Sequence, residues 1–343
     1  MSVSSEMMVA PIDRQPLRRK AALISFGVGI LMFVTKTGAY FITDSAAILS
    51  DAMESVVHVI ATCVALYSIM LAGRPADRKH PYGYGKVEYF SAGLEGTLIF
   101  LAAMAICYAA VDDIIKGNHP KSLDIGAWAV GIAGAINLGL GAYLIRTGRR
   151  TNSLVLIADG KHVLTDSYTS IGVLVGVLLV YFTKITILDP IFAIAVGLNI
   201  IWTGYQLISE SIRGLMNTID PQTLQKTVDV VNRHRTADMI DMHRLRSWSA
   251  GERRFIDFHL TLPFYMQLQK SHAIQDALHD AISHEFSDQA EVMLHLDPCT
   301  FTCCVICGKS DCPVRSEEQH TSHEFTMATA QGDPAHVLLE RAG

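Results

Sequence analysis

Glu54 and His58 stand four residues apart in the run SDAMESVVHVIA, and His162 and Asp166 repeat the spacing in GKHVLTDSYTS. Imidazole nitrogens and carboxylate oxygens bind divalent metals and protons. On a helix, residues i and i+4 share one face, a turn apart. Two helices that each present such a pair, packed face to face, bring two nitrogens and two carboxylates to one point. That donor set suits a tetrahedral Zn²⁺ site with bonds of roughly 2.0–2.2 Å. Fe²⁺, Co²⁺ and Mn²⁺ accept the same donors, and affinity order alone does not choose among them. Both pairs lie in apolar stretches, where ionisable side chains are costly and mark function by default. One pair could simply hold two helices together; two matched pairs argue for a site. Asp51, one turn before Glu54, is either a further ligand or proton acceptor or a polar residue near a water-filled mouth. Lys36 reads as a snorkelling or paired charge.

The elements that must position these residues follow from composition. Half of the 343 residues are hydrophobic, and they crowd positions 20–212. The net charge is −5, which implies no general attraction to nucleic acid. A spanning helix needs roughly 20 mostly apolar residues. Six stretches qualify, at about 20–42, 45–72, 88–115, 123–146, 153–183 and 188–211. The polar, basic segment 1–19 leads into the first without a small-residue cleavage site, so it reads as a cytoplasmic segment before an uncleaved span. Basic residues cluster in alternate connections: Arg14, Arg18, Arg19 and Lys20; Arg74, Arg78, Lys79 and Lys86; Arg146, Arg149, Arg150 and Lys161. The other connections hold only Lys116, Lys121 and Lys184. The positive-inside rule then places both termini in the cytoplasm.

Residues 213–300 read as a soluble domain. LQKTVDVVNRH has helical spacing, DMHRLRSWSAGERRFIDFHLTLP alternates around a turn as a hairpin, SHAIQDALHDAISHEF is an amphipathic helix, and QAEVMLHLDP is a last strand. The order α-β-β-α-β gives a small two-layer α+β domain. Residues 301–343 show no regular period and read as a mobile tail. Cys63 and Cys107 lie in spans as small packing residues, whereas five cysteines fall between 299 and 312. A reducing compartment turns those five toward thiol or metal chemistry. Cys304-x-x-Cys307 with Cys312 resembles half of a zinc ribbon, for which Cys299, Cys303, His320 or His323 could supply the fourth ligand.

The stretches SAAILSDAMESVVH, HPYGYGKVEYFSAGLEG, GKHVLTDSYTSIGVLVG, LDPIFAIAVGLNI and HLDPC, in that order, resemble the cation diffusion facilitator family. The likeness runs over roughly residues 15–300. It implies a multi-pass transporter of the bacterial inner (plasma) membrane that exchanges a divalent cation for protons, and not an enzyme. The fold it implies is six transmembrane helices followed by a cytoplasmic ferredoxin-like, metallochaperone-like domain. It assigns the transport site to Glu54, His58, His162 and Asp166, although the family's helix 2 pair is more often Asp or His, then Asp. Asp77 and His80 match a second family site in the loop between helices 2 and 3, where Tyr84 replaces a common His and leaves a weak or absent site. Lys86 matches a lysine that helps lock a dimer, with Asn217 where its acidic partner usually stands. His243, His259, His272, His295 and Asp297 fall on ligand positions of a soluble domain that, in the family, dimerises and binds zinc between protomers.

The chemistry expected is competition. Metal ligands must be deprotonated to bind, so loading releases protons, and imidazoles make that sensitive over roughly pH 5 to 8. Zn²⁺ is the leading cargo, with Fe²⁺, Co²⁺ or Mn²⁺ as alternatives. Readings of another class are a membrane-anchored metal sensor, which would not need matched pairs in two spans, and an intramembrane metalloenzyme. The His-Glu-x-x-His motif of the latter is absent.

Overall fold

A computed structural model describes residues 14–43, 46–116, 126–183, 185, 187–287, 289–335 and 337. The N-terminal segment up to residue 13, Lys121, Lys184 and the last residues from 338 lie outside that description. The chain forms two compact units that divide near Met216 and Asn217.

Among the described residues the first unit has six helices: α1 (Gln15–Thr43), α2 (Ala46–Ala72), α3 (Val87–Lys116), α4 (Gly126–Thr151), α5 (Leu154–Thr183) and α6 (Leu188–Leu215). Each corresponds to one apolar stretch of the sequence. Large apolar side chains point outward along them, among them Leu31, Phe90, Leu198 and Trp202, with Tyr108 and Phe182 each 77% exposed. Such surfaces are at home in lipid, where apolar exposure carries no penalty. Among the described residues, Gln15–Gly38, Val87–Lys116 and Pro190–Leu215 are long and apolar enough by themselves to cross a bilayer, and the apolar stretch His58–Ala72 is shorter.

Helices in lipid gain little from burying apolar surface and associate through close packing of small residues. The pairing of α3 with α6 shows this. A Cβ on Gly204 would come within 2.9 Å of the Phe100 amide nitrogen and 3.0 Å of the Gly96 carbonyl. Gly141 and Gly160 do the same between α4 and α5, where either Cβ would meet the other's carbonyl at 2.9 Å. Helix α5 touches all five of the others, so it is the axis of the unit.

One buried polar network ties several helix ends together. Arg18 of α1 is 3% exposed and binds the Glu88 carboxylate of α3 at 2.6 Å. Its Nε and Nη2 also donate to the Thr151 carbonyl at 3.2 and 2.6 Å. The Ser153 hydroxyl donates to the other Glu88 oxygen at 2.7 Å. The guanidinium and carboxylate thus satisfy one another, as buried charges must.

The second unit holds α7 (Pro221–Arg233), β1 (Asp241–Ala250), β2 (Arg253–Leu262), α8 (Leu268–Glu285) and β3 (Ala290–Pro298). Asp220 caps α7 by accepting from the Gln222 amide, with Pro221 at the first helical position. The sheet order is β1-β2-β3. β2 and β3 run parallel, with His259 beside His295 and Thr261 beside Asp297. A short turn at Gly251, whose φ of +64° suits glycine, joins β1 to β2. Leu224, Val228 and Val231 of α7, Leu278 and Ile282 of α8, and Met242, Ile256, Phe258 and Leu260 of the strands form the core.

The sequence reading of a mobile tail from residue 301 differs from this structure. A 3₁₀ turn (Phe301–Val305) and a short helix α9 (Met327–Gln331) follow β3. Phe325 and Ala330 are buried in the α7–α8–sheet core. Asn232 donates to the Phe325 carbonyl at 2.8 Å, the Arg235 guanidinium to the His323 carbonyl at 2.7 Å, and the Arg244 amide to the Gly332 carbonyl at 3.1 Å. Periodicity misses such a segment because side chain to backbone bonds, not a repeating apolar face, hold it.

Candidate metal centres

His58 of α2 and His162 of α5 face one another with near-parallel rings, 5.1 Å between centroids and 11° between planes. One ligand atom from each, and one carboxylate oxygen of Asp166, all lie within 4.8 Å of one another. Bonds of roughly 2.0–2.2 Å to one ion place tetrahedral ligand atoms about 3.5 Å apart, so little movement separates this arrangement from chelation. The Nδ1 atoms of both histidines are buried and have no hydrogen-bond partner among the described residues. Gly29 of α1 lies against His58, and an added Cβ there would come 3.2 Å from its Cδ2. Helix α5 is held beside Asp166 by the Ser167 hydroxyl, which donates to the Gly134 carbonyl of α4 at 3.1 Å. Glu54 lies in α2 one turn before His58, and Asp51 one turn earlier. The side chains of both are outside the described residues.

Two further carboxylates of this unit escaped the sequence reading. Glu95 of α3 is 1% exposed, and neither of its oxygens has a hydrogen-bond partner among the described residues. Its charged neighbour is Asp159 of α5, 2% exposed, whose Oδ2 is likewise unpartnered and beside which the buried Ser25 hydroxyl lies. Asp159 precedes His162 by one turn, so Asp159, His162 and Asp166 form one stripe along α5. Two neighbouring carboxylates buried from solvent repel one another unless a proton or a cation relieves the charge. Their signal was present as ionisable residues within spans, but neither has a partner at i+4 to draw notice.

In the loop before α3, Asp77 and His80 are adjacent and half exposed, with 3.4 Å between Oδ1 and Nδ1. Tyr84 donates its hydroxyl to Asp77 Oδ2 at 2.6 Å, and the amides of Lys79 and His80 donate to Oδ1. The Tyr84 bond foremost, with the His80 amide, holds the Asp77 carboxyl down to about 2. The phenol therefore occupies one of the two carboxylate oxygens a metal would use.

In the second unit, His243, His259 and Asp297 bring one ligand atom each within 4.8 Å of the others. Asp297 Oδ2 lies 3.2 Å from His243 Nε2 and 2.9 Å from His259 Nδ1, while Oδ1 lies 3.2 Å from His295 Nε2. Parallel register sets this up, since it places His259 beside His295 and Asp297 two residues on. His243 is fully buried, and its Nε2 makes no hydrogen bond among the described residues. A metal fits that nitrogen well. Behind it stands Asp241, which the sequence reading overlooked although Asp241-x-His243 shares a strand face. Its Oδ2 bonds His243 Nδ1 at 2.9 Å and its Oδ1 bonds His323 Nε2 at 2.7 Å. A carboxylate on one ring nitrogen orients the other toward metal. Burial pushes the Asp241 carboxyl up, but the bonds from His243, His323 and the Ala335 amide prevail and hold it well below the usual range. His272 stands apart on α8, exposed and paired with Asp276 at 2.9 Å.

Comparison with known proteins agrees with this architecture. The family model for the cation efflux transmembrane domain matches residues 22–216, and that for the cation efflux protein cytoplasmic domain matches residues 219–299. An uncharacterised transporter of Synechocystis, sll1263, is 38% identical over 285 residues, covering 82% of this chain and 91% of its own. The manganese efflux system protein MneP of Bacillus subtilis is 26% identical over 293 residues, covering 83% and 98%. The cation-efflux pump FieF of Pectobacterium atrosepticum is 26% identical over 278 residues, covering 81% and 92%. The chain belongs to the cation diffusion facilitator family of membrane cation efflux transporters. It is a divalent-cation transporter, not an enzyme, with a transmembrane domain followed by a cytoplasmic dimerisation domain.

Proposed function

We propose that this chain exports a divalent metal, Zn²⁺ before others, from the cytoplasm in exchange for protons, through a tetrahedral site of Glu54, His58, His162 and Asp166. Six spans with both termini in the cytoplasm carry that site. The observation that supports it most is the convergence of His58, His162 and Asp166 on one point of the transmembrane unit, with both imidazole Nδ1 atoms unpartnered. Metal and protons compete for the same lone pairs, so a site loaded at cytoplasmic pH empties when protons arrive from the other side. Two imidazoles favour zinc or iron over manganese, whose ligand preference runs to oxygen. The relative named for manganese efflux keeps Mn²⁺ among the cargoes to test.

In the cytoplasmic domain, His243, His259 and Asp297, with His295 at the edge, hold regulatory metal that tightens a homodimer. His272 joins only in a metal shared between protomers, as the family resemblance implies. The loop pair Asp77 and His80 binds metal weakly, since Tyr84 blocks one oxygen. The test is uptake into proteoliposomes with an imposed pH gradient and a panel of Zn²⁺, Fe²⁺, Co²⁺ and Mn²⁺. Uptake that follows the gradient and is fastest for Zn²⁺ supports the reading. Uptake indifferent to the gradient removes antiport, and uptake fastest for Mn²⁺ removes the zinc preference.

A further inference from the structure

The cysteine segment lies beyond the residues matched by the cytoplasmic family model, which ends at 299. Five of the chain's seven cysteines sit between 299 and 312, all as free thiols. The structure gives them different surroundings. Cys299, at the end of β3, has Cys303, Cys307 and Cys312 as its thiol neighbours. All four line one cavity of about 20 Å³, walled by Ile240, Phe264 and Phe301. That is the room of a single water or small ion. Cys304 also reaches this cavity but is not among the thiol neighbours of Cys299.

Local geometry explains the selection. Residues 301–305 form a 3₁₀ turn, which carries Cys303 inward, where it is 2% exposed, and Cys307 follows at 6%. The Cys299 amide donates to the Leu262 carbonyl at 2.8 Å, fixing the first thiol to the sheet. Arg315 closes the loop by donating to the carbonyls of Cys304, Cys307 and Lys309 at 3.3, 2.9 and 2.6 Å. The Lys309 ammonium is taken up by Asp238 and Asp311, each at 2.9 Å. His323, a candidate fourth ligand by sequence, is engaged by Asp241.

Residues 325–335 are anchored in the domain core, but around residues 299–315 apolar packing is slight. The apolar cluster there is Ile240, Cys303, Ile306, Cys307 and Ala335, too small for a core. Small segments of this kind, rich in cysteine and poor in apolar contacts, are held by metal in a reducing compartment. We infer that Cys299, Cys303, Cys307 and Cys312 form a structural Zn²⁺ site that fastens the C-terminal segment to the cytoplasmic domain. Each thiol loses its proton to solvent as the ion binds, and the four sulfurs draw together from the cavity walls into a tetrahedral shell. No electron transfer is involved. The fastened segment carries His323 and Ala335, the two groups that hold Asp241 behind His243. The zinc thereby keeps the His243 cluster in order without touching it.

Cobalt substitution of the purified full-length protein tests this directly. Thiolate-bound Co²⁺ gives near-ultraviolet charge-transfer absorption that nitrogen and oxygen sites do not give. The wild type is expected to show that band and to carry one more zinc per protomer than Cys307→Ser or Cys312→Ser. Cys304→Ser is expected to keep both, and Cys312→His to keep the ion with a weaker band, which separates ligation from misfolding. Absence of the band in the wild type overturns the inference, as does its loss in Cys304→Ser with retention in Cys299→Ser. Iron with inorganic sulfide in place of zinc overturns it too. Asp166→Ala leaves the band unchanged, so this result stands or falls separately from the transport site.

Discussion

Several buried ionisable side chains have polar atoms without a hydrogen-bond partner among the described residues. Glu95 is the sharpest case. A buried carboxyl with no bond to either oxygen lowers stability, and an apolar residue of similar size relieves that by about 1–3 kcal/mol. Glu95→Leu is therefore expected to raise the thermal unfolding midpoint while slowing metal flux. A stabilised variant with unchanged flux would make Glu95 a structural accident. Asp241 shows the opposite condition, a carboxylate with every oxygen engaged. Its folded-state pKa lies below the ordinary value, so the unfolded chain binds more protons at acid pH. Its contribution is complete above the ordinary carboxylate value of about 3.9 and is lost as pH falls toward the folded value. Asp241→Asn is expected to lower the unfolding midpoint of the full chain at neutral pH and to flatten its fall below about pH 4. An unchanged acid limb in circular dichroism melts would contradict this. At this scale the sequence was half legible. Spacing at i and i+4 exposed His58, His162 and Asp166, whereas Glu95 and Asp159 meet only across two helices and Asp241 is joined by His323 from far along the chain.

Among the elements, α5 does most of the positioning, because it contacts every other transmembrane helix and carries Asp159, His162 and Asp166 on one stripe. The helices themselves were readable as apolar stretches, with ends shifted by a few residues. What fastens their ends was not. Arg18 stands in a basic cluster of the sequence, yet it lies buried against Glu88, seventy residues away in sequence. Removing one partner of a buried ion pair strands the other, at about 3–5 kcal/mol. Arg18→Ala is expected to lose that much stability, and the double variant Arg18→Met with Glu88→Leu to recover most of it. Equal melting of Arg18→Ala and wild type would show the pair to be idle. The strands teach the same lesson from the other side. Their alternation was plain, but the parallel register that sets His259 beside His295 comes from chain topology, which no local pattern records.

For the whole molecule, two units that each bring metal-ligand side chains together share one chain. The membrane unit gathers a mixed nitrogen and oxygen set suited to an ion that must leave again. The cytoplasmic unit gathers a histidine and aspartate cluster backed by Asp241, and beyond it a set of thiols lining one cavity. Fold class and order of domains were legible because lipid demands long apolar helices and a soluble layer demands alternation. The packed C-terminal segment was not, because it borrows its order from the domain it covers. The central claim is that metal and protons pass through the shared point between α2 and α5. Zinc flux into proteoliposomes under a pH gradient, compared between wild type and Asp166→Ala, tests it most directly. Flux abolished in the variant, with the protein still folded and its cytoplasmic metal retained, is the predicted result. Undiminished flux through Asp166→Ala would contradict the account.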